Sequence, residues 1–267
     1  METSVEFKYV TAIEENLSAW IPVFGKLGQV YENNPVGVKR TMTKYPVSVF
    51  NSIMDTRLAP EQMDAAIQCV ISDAKAHKVP VLWWVVPSTQ PAGLGKHLQE
   101  YGFSIDDDDP GMAVELERLN EALPKTDGFS IHLAQDDTAR KQWSITMQKG
   151  FEIPSPSDMR INAWWNMLHE TDPKIILAYT GFLDNKPVAT SLLFLAAGVA
   201  GIYAVSTIPE ARRKGIGAWM TLHPLLQARS SGYKIGILFA SALGLSVYRS
   251  LGFRECCKIS SYRWAPE

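Results

Sequence analysis

The stretch that decides the fold runs from Gly201 to Ala218, GIYAVSTIPEARRKGIGA. Ile202–Thr207 is apolar and β-branched and reads as a buried strand, which Pro209 ends. Arg212, Arg213 and Lys214 then lead through Gly215, Ile216 and Gly217 into an amphipathic run, so a strand feeds a helix start through a basic, glycine-rich loop. A helix start leaves its first backbone N–H groups without internal partners, and the helix dipole adds partial positive charge there. Glycines let that backbone come close to an anion. Two phosphate motifs fail on spacing: no GxxxxGK(S/T) occurs, and Met220 stands where GxGxxG needs its third glycine.

Arg212-Arg213-Lys214-Gly215-Ile216-Gly217 fits the pattern Gln/Arg-x-x-Gly-x-Gly/Ala with a strand before it, and Leu245-Ser246-Val247-Tyr248-Arg249-Ser250-Leu251-Gly252-Phe253 follows as a short helix and turn. Together, in this order, the two segments resemble the acyl-CoA pyrophosphate loop and the closing helix of the GNAT superfamily of N-acetyltransferases. The resemblance implies an α/β fold with a mixed sheet and acetyl-CoA as cosubstrate. It also implies that Val205, Ser206 and Thr207 supply backbone groups to the pantetheine arm and the oxyanion, and that Arg212 through Ala218 hold the pyrophosphate. The Asn common at the end of the fifth strand of that family is absent. Ala240-Ser241 stands in its region, so Ser241 is a substitute hydroxyl.

At 267 residues the chain has room for one large domain or two ordinary ones. Charged residues make up 20%, hydrophobic ones 46%, and the net charge is -2, a globular composition without the basic excess of a nucleic-acid binder. METSVEFKYV has neither a basic nor an apolar leader region, and no apolar run approaches the ~18 residues of a membrane span, so the expected place is the cytosol. Cys69, Cys256 and Cys257 form no disulfide framework, and the five histidines lack metal-ligand spacing, so no metal is expected.

In the first half, Ile13–Gln29 reads as an amphipathic helix and Val36–Asn51 as strand-like. Ala59-Pro60-Glu61 opens a further helix, Val79–Val86 (VPVLWWVV) is a continuous apolar strand, and Leu94–Tyr101 is a short helix closed by Gly102. Phe103–Ile105 and Met112–Leu116 flank Asp106–Asp109 and read as a hairpin with a solvated acidic turn. The polar segment Glu117–Gly128 reads as an interdomain linker. The second half then gives β-α-α-β-β-β-α-β-α-β, the GNAT order, with an irregular Phe151–Asp158 stretch between its first two helices. Pro224 predicts a kink in the helix after the loop.

Leu98-Gln99-Glu100-Tyr101-Gly102-Phe103 lines up with Tyr248-Arg249-Ser250-Leu251-Gly252-Phe253, each after an apolar strand and a short helix. Two GNAT-like domains in tandem are therefore expected: 1–118 as a degenerate copy, 119–127 as linker and 128–267 as the acyl-CoA-binding copy. The first copy has Leu58-Ala59-Pro60-Glu61-Gln62 in place of the basic loop and Leu98 in place of Tyr248.

Amide formation from a thioester needs a deprotonated amine, a donor for the oxyanion and a proton for the departing thiolate. A phenol can give that proton and stay protonated at neutral pH, which makes Tyr248 the general acid, the role its counterpart has in the superfamily. Glu152, in the irregular segment bordering the acceptor side of this family, is the candidate base, with Asp158, His169 and Glu170 as rivals and a water chain without a dedicated base as the other route. Trp83, Trp84, Trp164 and Trp165 read as core packing, with one of each pair available to line a pocket. The expected acceptor is a small-molecule amine rather than a protein, with no nucleic acid or membrane partner and a monomeric or homodimeric chain. The other function class is a non-catalytic acyl-CoA-binding or sensing protein, which would need the loop but not the acid.

Overall fold

The computed structural model describes residues 2–31, 37–153 and 158–266, with side chains from Phe7 onward. In chain order the elements are α1 (Glu2–Ser18), α2 (Trp20–Gly25), β1 (Gly28–Tyr31), β2 (Lys39–Thr43), β3 (Ser52–Met54), α3 (Met63–His77), β4 (Val81–Val85), α4 (Leu94–Glu100) and β5 (Ser104–Glu115). The second half continues with β6 (Phe129–Leu133), α5 (Asp137–Gly150), α6 (Asp158–Glu170), β7 (Ile176–Leu183), β8 (Lys186–Ala196), β9 (Val199–Thr207), α7 (Ile216–Ser230), β10 (Ile235–Phe239), α8 (Leu245–Ser250) and β11 (Arg254–Trp264). Pro22 falls in the first turn of α2, where its missing N–H has no helical partner to lose, and the single helix expected over Ile13–Gln29 is α1 and α2 followed by a strand. Of the strand expected from Val36 to Asn51 only Lys39–Thr43 is strand. Val36 itself lies outside the described residues, as do positions 154–157 of the expected irregular segment.

Two compact units make up the chain, and neither is one continuous stretch: Met1–Asn16 with Gly111–Cys256, and Leu17–Pro110 with Cys257–Glu267. This differs from a cut at 119–127 for a reason of strand pairing. After the Gly102-Phe103 turn, β5 gives Gly111–Glu115 as an antiparallel partner to β10. After the Gly252-Phe253 turn, β11 gives Ser260–Trp264 as an antiparallel partner to β4. The strand that follows each repeat thus completes the sheet of the other unit.

In the second of these units the sheet order is β1-β2-β3-β4-β11, with β3 and β4 parallel. Ala66, Ile67, Val70 and Ala74 of α3 bury one helical face in a core shared with Trp83, Leu98 and Phe103. Successive tryptophans on β4 alternate in direction: Trp83 is fully buried and donates its indole N–H to Thr56 Oγ1 at 2.8 Å, while half-buried Trp84 donates to Ser52 Oγ at 3.1 Å.

Asp106–Asp109 is strand, not turn. Local propensity favours a turn there, but β11 supplies the missing partners: Lys258 Nζ sits 2.7 Å from Asp108, Ser260 Oγ donates to Asp108 at 2.6 Å, and Ser261 Oγ accepts the Asp107 N–H at 3.2 Å. Hydrogen bonds from Lys258 and Ser260 hold the Asp108 carboxyl below its ordinary range. Burial, with the charges of Asp107 and Asp108, pushes Asp109 up to about 6. A carboxyl raised on folding is disfavoured in its charged form, so the stability it permits at low pH is lost as pH rises through about 4 to 6. Asp109→Asn should therefore raise stability at about pH 8 by roughly 1 kcal/mol, less than the full shift because water still reaches the group. The thermal midpoints of the two forms should converge at about pH 4.

In the first unit the sheet order is β6-β7-β8-β9-β10, closed by the last residues of β5. Pairing is antiparallel except between β9 and β10, which are parallel. α7 packs on β8 and β9 through Ile216, Met220, Leu222 and Leu225, and runs through Pro224 to Ser230. The segment expected as a linker belongs to this unit. Leu119 is buried, the Asn120 side chain donates to Ser250 O at 3.0 Å, Trp219 donates to Pro124 O at 3.0 Å, and Thr126 Oγ1 donates to Lys214 O at 2.9 Å. Its polarity reflects a surface strap whose Leu119 and Leu123 anchor in the core.

Candidate functional site

Parallel strands end at the same edge of a sheet, so β9 and β10 bring the loop before α7 and the turn before α8 to one end of the first unit. Registered pairing between them covers only Ala200–Ile202 against Gly236–Leu238. From Tyr203 onward β9 is paired in register with β8 alone, and the ladder shifts between Thr190 and Leu192. Ala204 takes a φ of +48°, a left-handed value costly for an L-residue. No β10 residue pairs in register with Val205–Thr207, and on that side Thr207 O instead accepts from Arg212 Nε at 3.0 Å, which leaves the remaining edge groups open. The Ser206 hydroxyl is not part of that edge: it is buried 2.8 Å from Thr190 Oγ1, which also donates to Ala204 O at 2.9 Å.

The loop reaches α7 through two left-handed residues, Arg213 at φ +64° and Gly215 at φ +75°. Gly215 is the N-cap of α7, and no side chain caps this helix start. Ala218 N–H and Trp219 N–H turn back to Gly215 O, while a Cβ built on Gly217 would meet nothing within 4 Å. Arg213 and Lys214 are exposed beside it. Uncapped N–H groups, open space and two free-standing cations are what an anion needs at a helix start. Ile216 and Ala218 are buried and anchor the first turn.

Arg212 is engaged differently. Its Nε donates to Thr207 O at 3.0 Å and its Nη2 to Gly150 O at 3.0 Å, with Glu152 Oε2 at 2.6 Å. The two residues expected at opposite sides of the chemistry, Arg212 and Glu152, form an ion pair.

Tyr248 lies in the same apolar cluster as Ala211, Ile216, Ala218 and Ala240 and is 7% exposed. Its ring meets Phe253 edge-on, centroids 6.1 Å apart. Gly244, one turn earlier, makes room for that ring, since a Cβ there would stand 2.6 Å from Cε2 and 3.2 Å from the hydroxyl oxygen. Ser241 is exposed, and its carbonyl accepts the N–H groups of Gly244 and Leu245 at 2.9 and 3.0 Å, which sets the entry to α8. Gly244, Gly150 and Thr126 were not singled out by the sequence. For Gly244 a signal existed, since residues four apart on a helix face one another.

The repeat is repeated in geometry. Phe103 N–H bonds Leu98 O at 3.1 Å and Phe253 N–H bonds Tyr248 O at 3.1 Å, with Gly102 and Gly252 at φ +84° and +100°. The helix start at Pro60–Gln62 is filled from within: Pro60 has no N–H, and Gln62 Oε1 accepts the Ala59 N–H at 2.9 Å. Leu98, in the place of Tyr248, is fully buried and offers no proton. Among the described residues no three His, Cys, Asp or Glu gather as a metal site, and no helix is long and apolar enough to cross a membrane.

Solved structures with this architecture include a GCN5-related N-acetyltransferase from Kribbella flavida, 20% identical, with a TM-score of 0.70 over 94% of each chain. The chain has the fold of the GCN5-related N-acetyltransferases. A functionally unknown conserved protein from Staphylococcus epidermidis matches at 13% identity, with a TM-score of 0.68 over 90% of this chain and 95% of that one. A tandem GNAT protein from the clavulanic acid biosynthesis pathway matches at 14% identity, with a TM-score of 0.55 over 86% of this chain and 79% of its own, in keeping with two GNAT-like copies in tandem. No protein-family model matches the chain, and neither does any curated protein sequence.

Proposed function

We propose that this chain transfers an acetyl or other short acyl group from acetyl-CoA to the amine of a small molecule, directly and within a ternary complex. The observation that carries this reading is the uncapped glycine helix start of α7 at the same end of the sheet as the open edge of β9 and as Tyr248. Backbone N–H groups of Gly215–Gly217, with Arg213 and Lys214, take the pyrophosphate. The edge of Val205–Thr207, apart from the Thr207 carbonyl that Arg212 holds, takes the pantetheine amides and donates to the oxyanion, an interaction worth ~3 kcal/mol where such donors have been removed. The amine nitrogen bonds the thioester carbonyl carbon, the carbon–sulfur bond breaks, and the thiolate takes its proton from the Tyr248 phenol. The amine proton leaves to water, and the Tyr248 phenolate takes a proton back from water, which closes the cycle. The reading includes a single acyl-CoA site per chain, no metal, and a cytosolic protein acting alone or as a homodimer.

A sensor would need the α7 start but would have no use for Tyr248 beside it. Release of free thiol from acetyl-CoA, followed over glucosamine, lysine, spermidine, tyramine and kanamycin, separates the two classes. Amine-dependent release supports transfer, and tight acetyl-CoA binding without release on any amine class supports sensing.

A further inference from the structure

The first residue of the basic loop does not stand free toward a phosphate. The Arg212 guanidinium spans three acceptors: Thr207 O at the end of β9, Gly150 O at the end of α5, and the carboxylate of Glu152. The three contacts use the planar fork of arginine, and a lysine ammonium, a single point charge, cannot span them together. The ground beneath is tight. A Cβ on Gly150 would stand 2.3 Å from Ser206 Oγ and 3.2 Å from Thr207 N, so the last turn of α5 lies directly on the end of β9. Glu152 holds a left-handed φ of +51°, a conformation with a cost for a residue that carries a Cβ.

The ion pair with Glu152 does not by its own stability account for this arrangement. The Arg212 and Glu152 side chains are 35% and 60% exposed, and an ion pair so wet contributes little to folding. What the bracket does is geometric. It fixes the chain leaving α5 to the strand end that bears the oxyanion donors and to the start of the phosphate loop.

We infer that Arg212 and Glu152 are positioning residues: Arg212 sets the exit of α5 against Thr207 so that the acceptor amine meets the thioester, and Glu152 anchors the guanidinium instead of acting as general base. The inference rests on the acyl-transfer reading and leaves Arg213 and Lys214 as the cations of the phosphate site.

The test compares wild type with Arg212→Lys, Glu152→Gln and the double variant. Acetyl-CoA affinity is read by calorimetry, KM and kcat with whichever amine of the panel above turns over fastest, and amide exchange at residues 151–153. Arg212→Lys should raise the amine KM about tenfold, change acetyl-CoA affinity less than about twofold, and speed exchange at 151–153 about tenfold while the first turn of α7 is unaffected. Glu152→Gln should move the same quantities in the same direction and keep the shape of the pH profile. The double variant should be no worse than Arg212→Lys, because both remove one contact network. A tenfold loss of acetyl-CoA affinity in Arg212→Lys with the amine KM unchanged would make Arg212 a phosphate ligand and overturn the inference. A collapse of kcat in Glu152→Gln with loss of the acid limb would restore Glu152 as base and overturn it equally. If wild type binds no acetyl-CoA, the transfer reading fails instead, and the exchange result still decides whether Arg212 holds the exit of α5.

Discussion

Gly217→Glu should eliminate acetyl-CoA binding, weakening it at least a hundredfold, while the folded chain stays as stable as wild type or slightly more so. The two effects separate because of where Gly217 lies. A side chain there meets no protein atom within 4 Å, so nothing in the fold is displaced. Replacing glycine inside a helix gains up to about 1 kcal/mol, and an acidic residue in the first turn adds about 0.3–1 kcal/mol through the dipole. The same carboxylate fills the open space over the uncapped N–H groups and repels a pyrophosphate. Calorimetry read beside a thermal melt makes the distinction. Undiminished affinity would place the ligand elsewhere, and a lower melting temperature would mean that Gly217 is needed for the fold.

Tyr248→Phe should leave acetyl-CoA affinity within about twofold and lower kcat by ten- to a hundredfold, the usual range for a lost proton donor. Phenylalanine keeps the ring that packs on Phe253 and over Gly244, so the α8 turn is retained. The loss should be deepest with poorly basic amines and above neutral pH, where solvent is a weaker proton source for the thiolate. A kcat equal to wild type against an accepted amine would remove Tyr248 from the chemistry and return it to a packing role.

The α7 start and the α8 helix with its Gly-Phe turn were legible because their signals are local: a proline ending a strand, glycines before an amphipathic run, and a short helix ahead of a Gly-Phe turn. The same local reading failed where distant residues decide. Asp106–Asp109 has turn composition, yet Lys258, Ser260 and Ser261 hold it in a strand. Glu117–Gly128 has linker composition, yet Leu119, Leu123 and the bonds from Thr126 and Trp219 strap it to α7. The reciprocal placement of β5 and β11 leaves no trace in periodicity, because a strand pattern does not name its partner. Arg212 shows the same limit inside a motif: the pattern gives its place in the loop, but the carbonyls of Thr207 and Gly150 give its direction.

The filled helix start at Pro60–Gln62 and the open one at Gly215 make the two copies unequal, and on that inequality rests the account that one stretch, Gly201–Ala218, holds the acyl-CoA. Calorimetric titration of the intact chain with acetyl-CoA tests it most directly. The account predicts one equivalent bound to wild type and none to Gly217→Glu. Two equivalents, or one that survives the substitution, would contradict it.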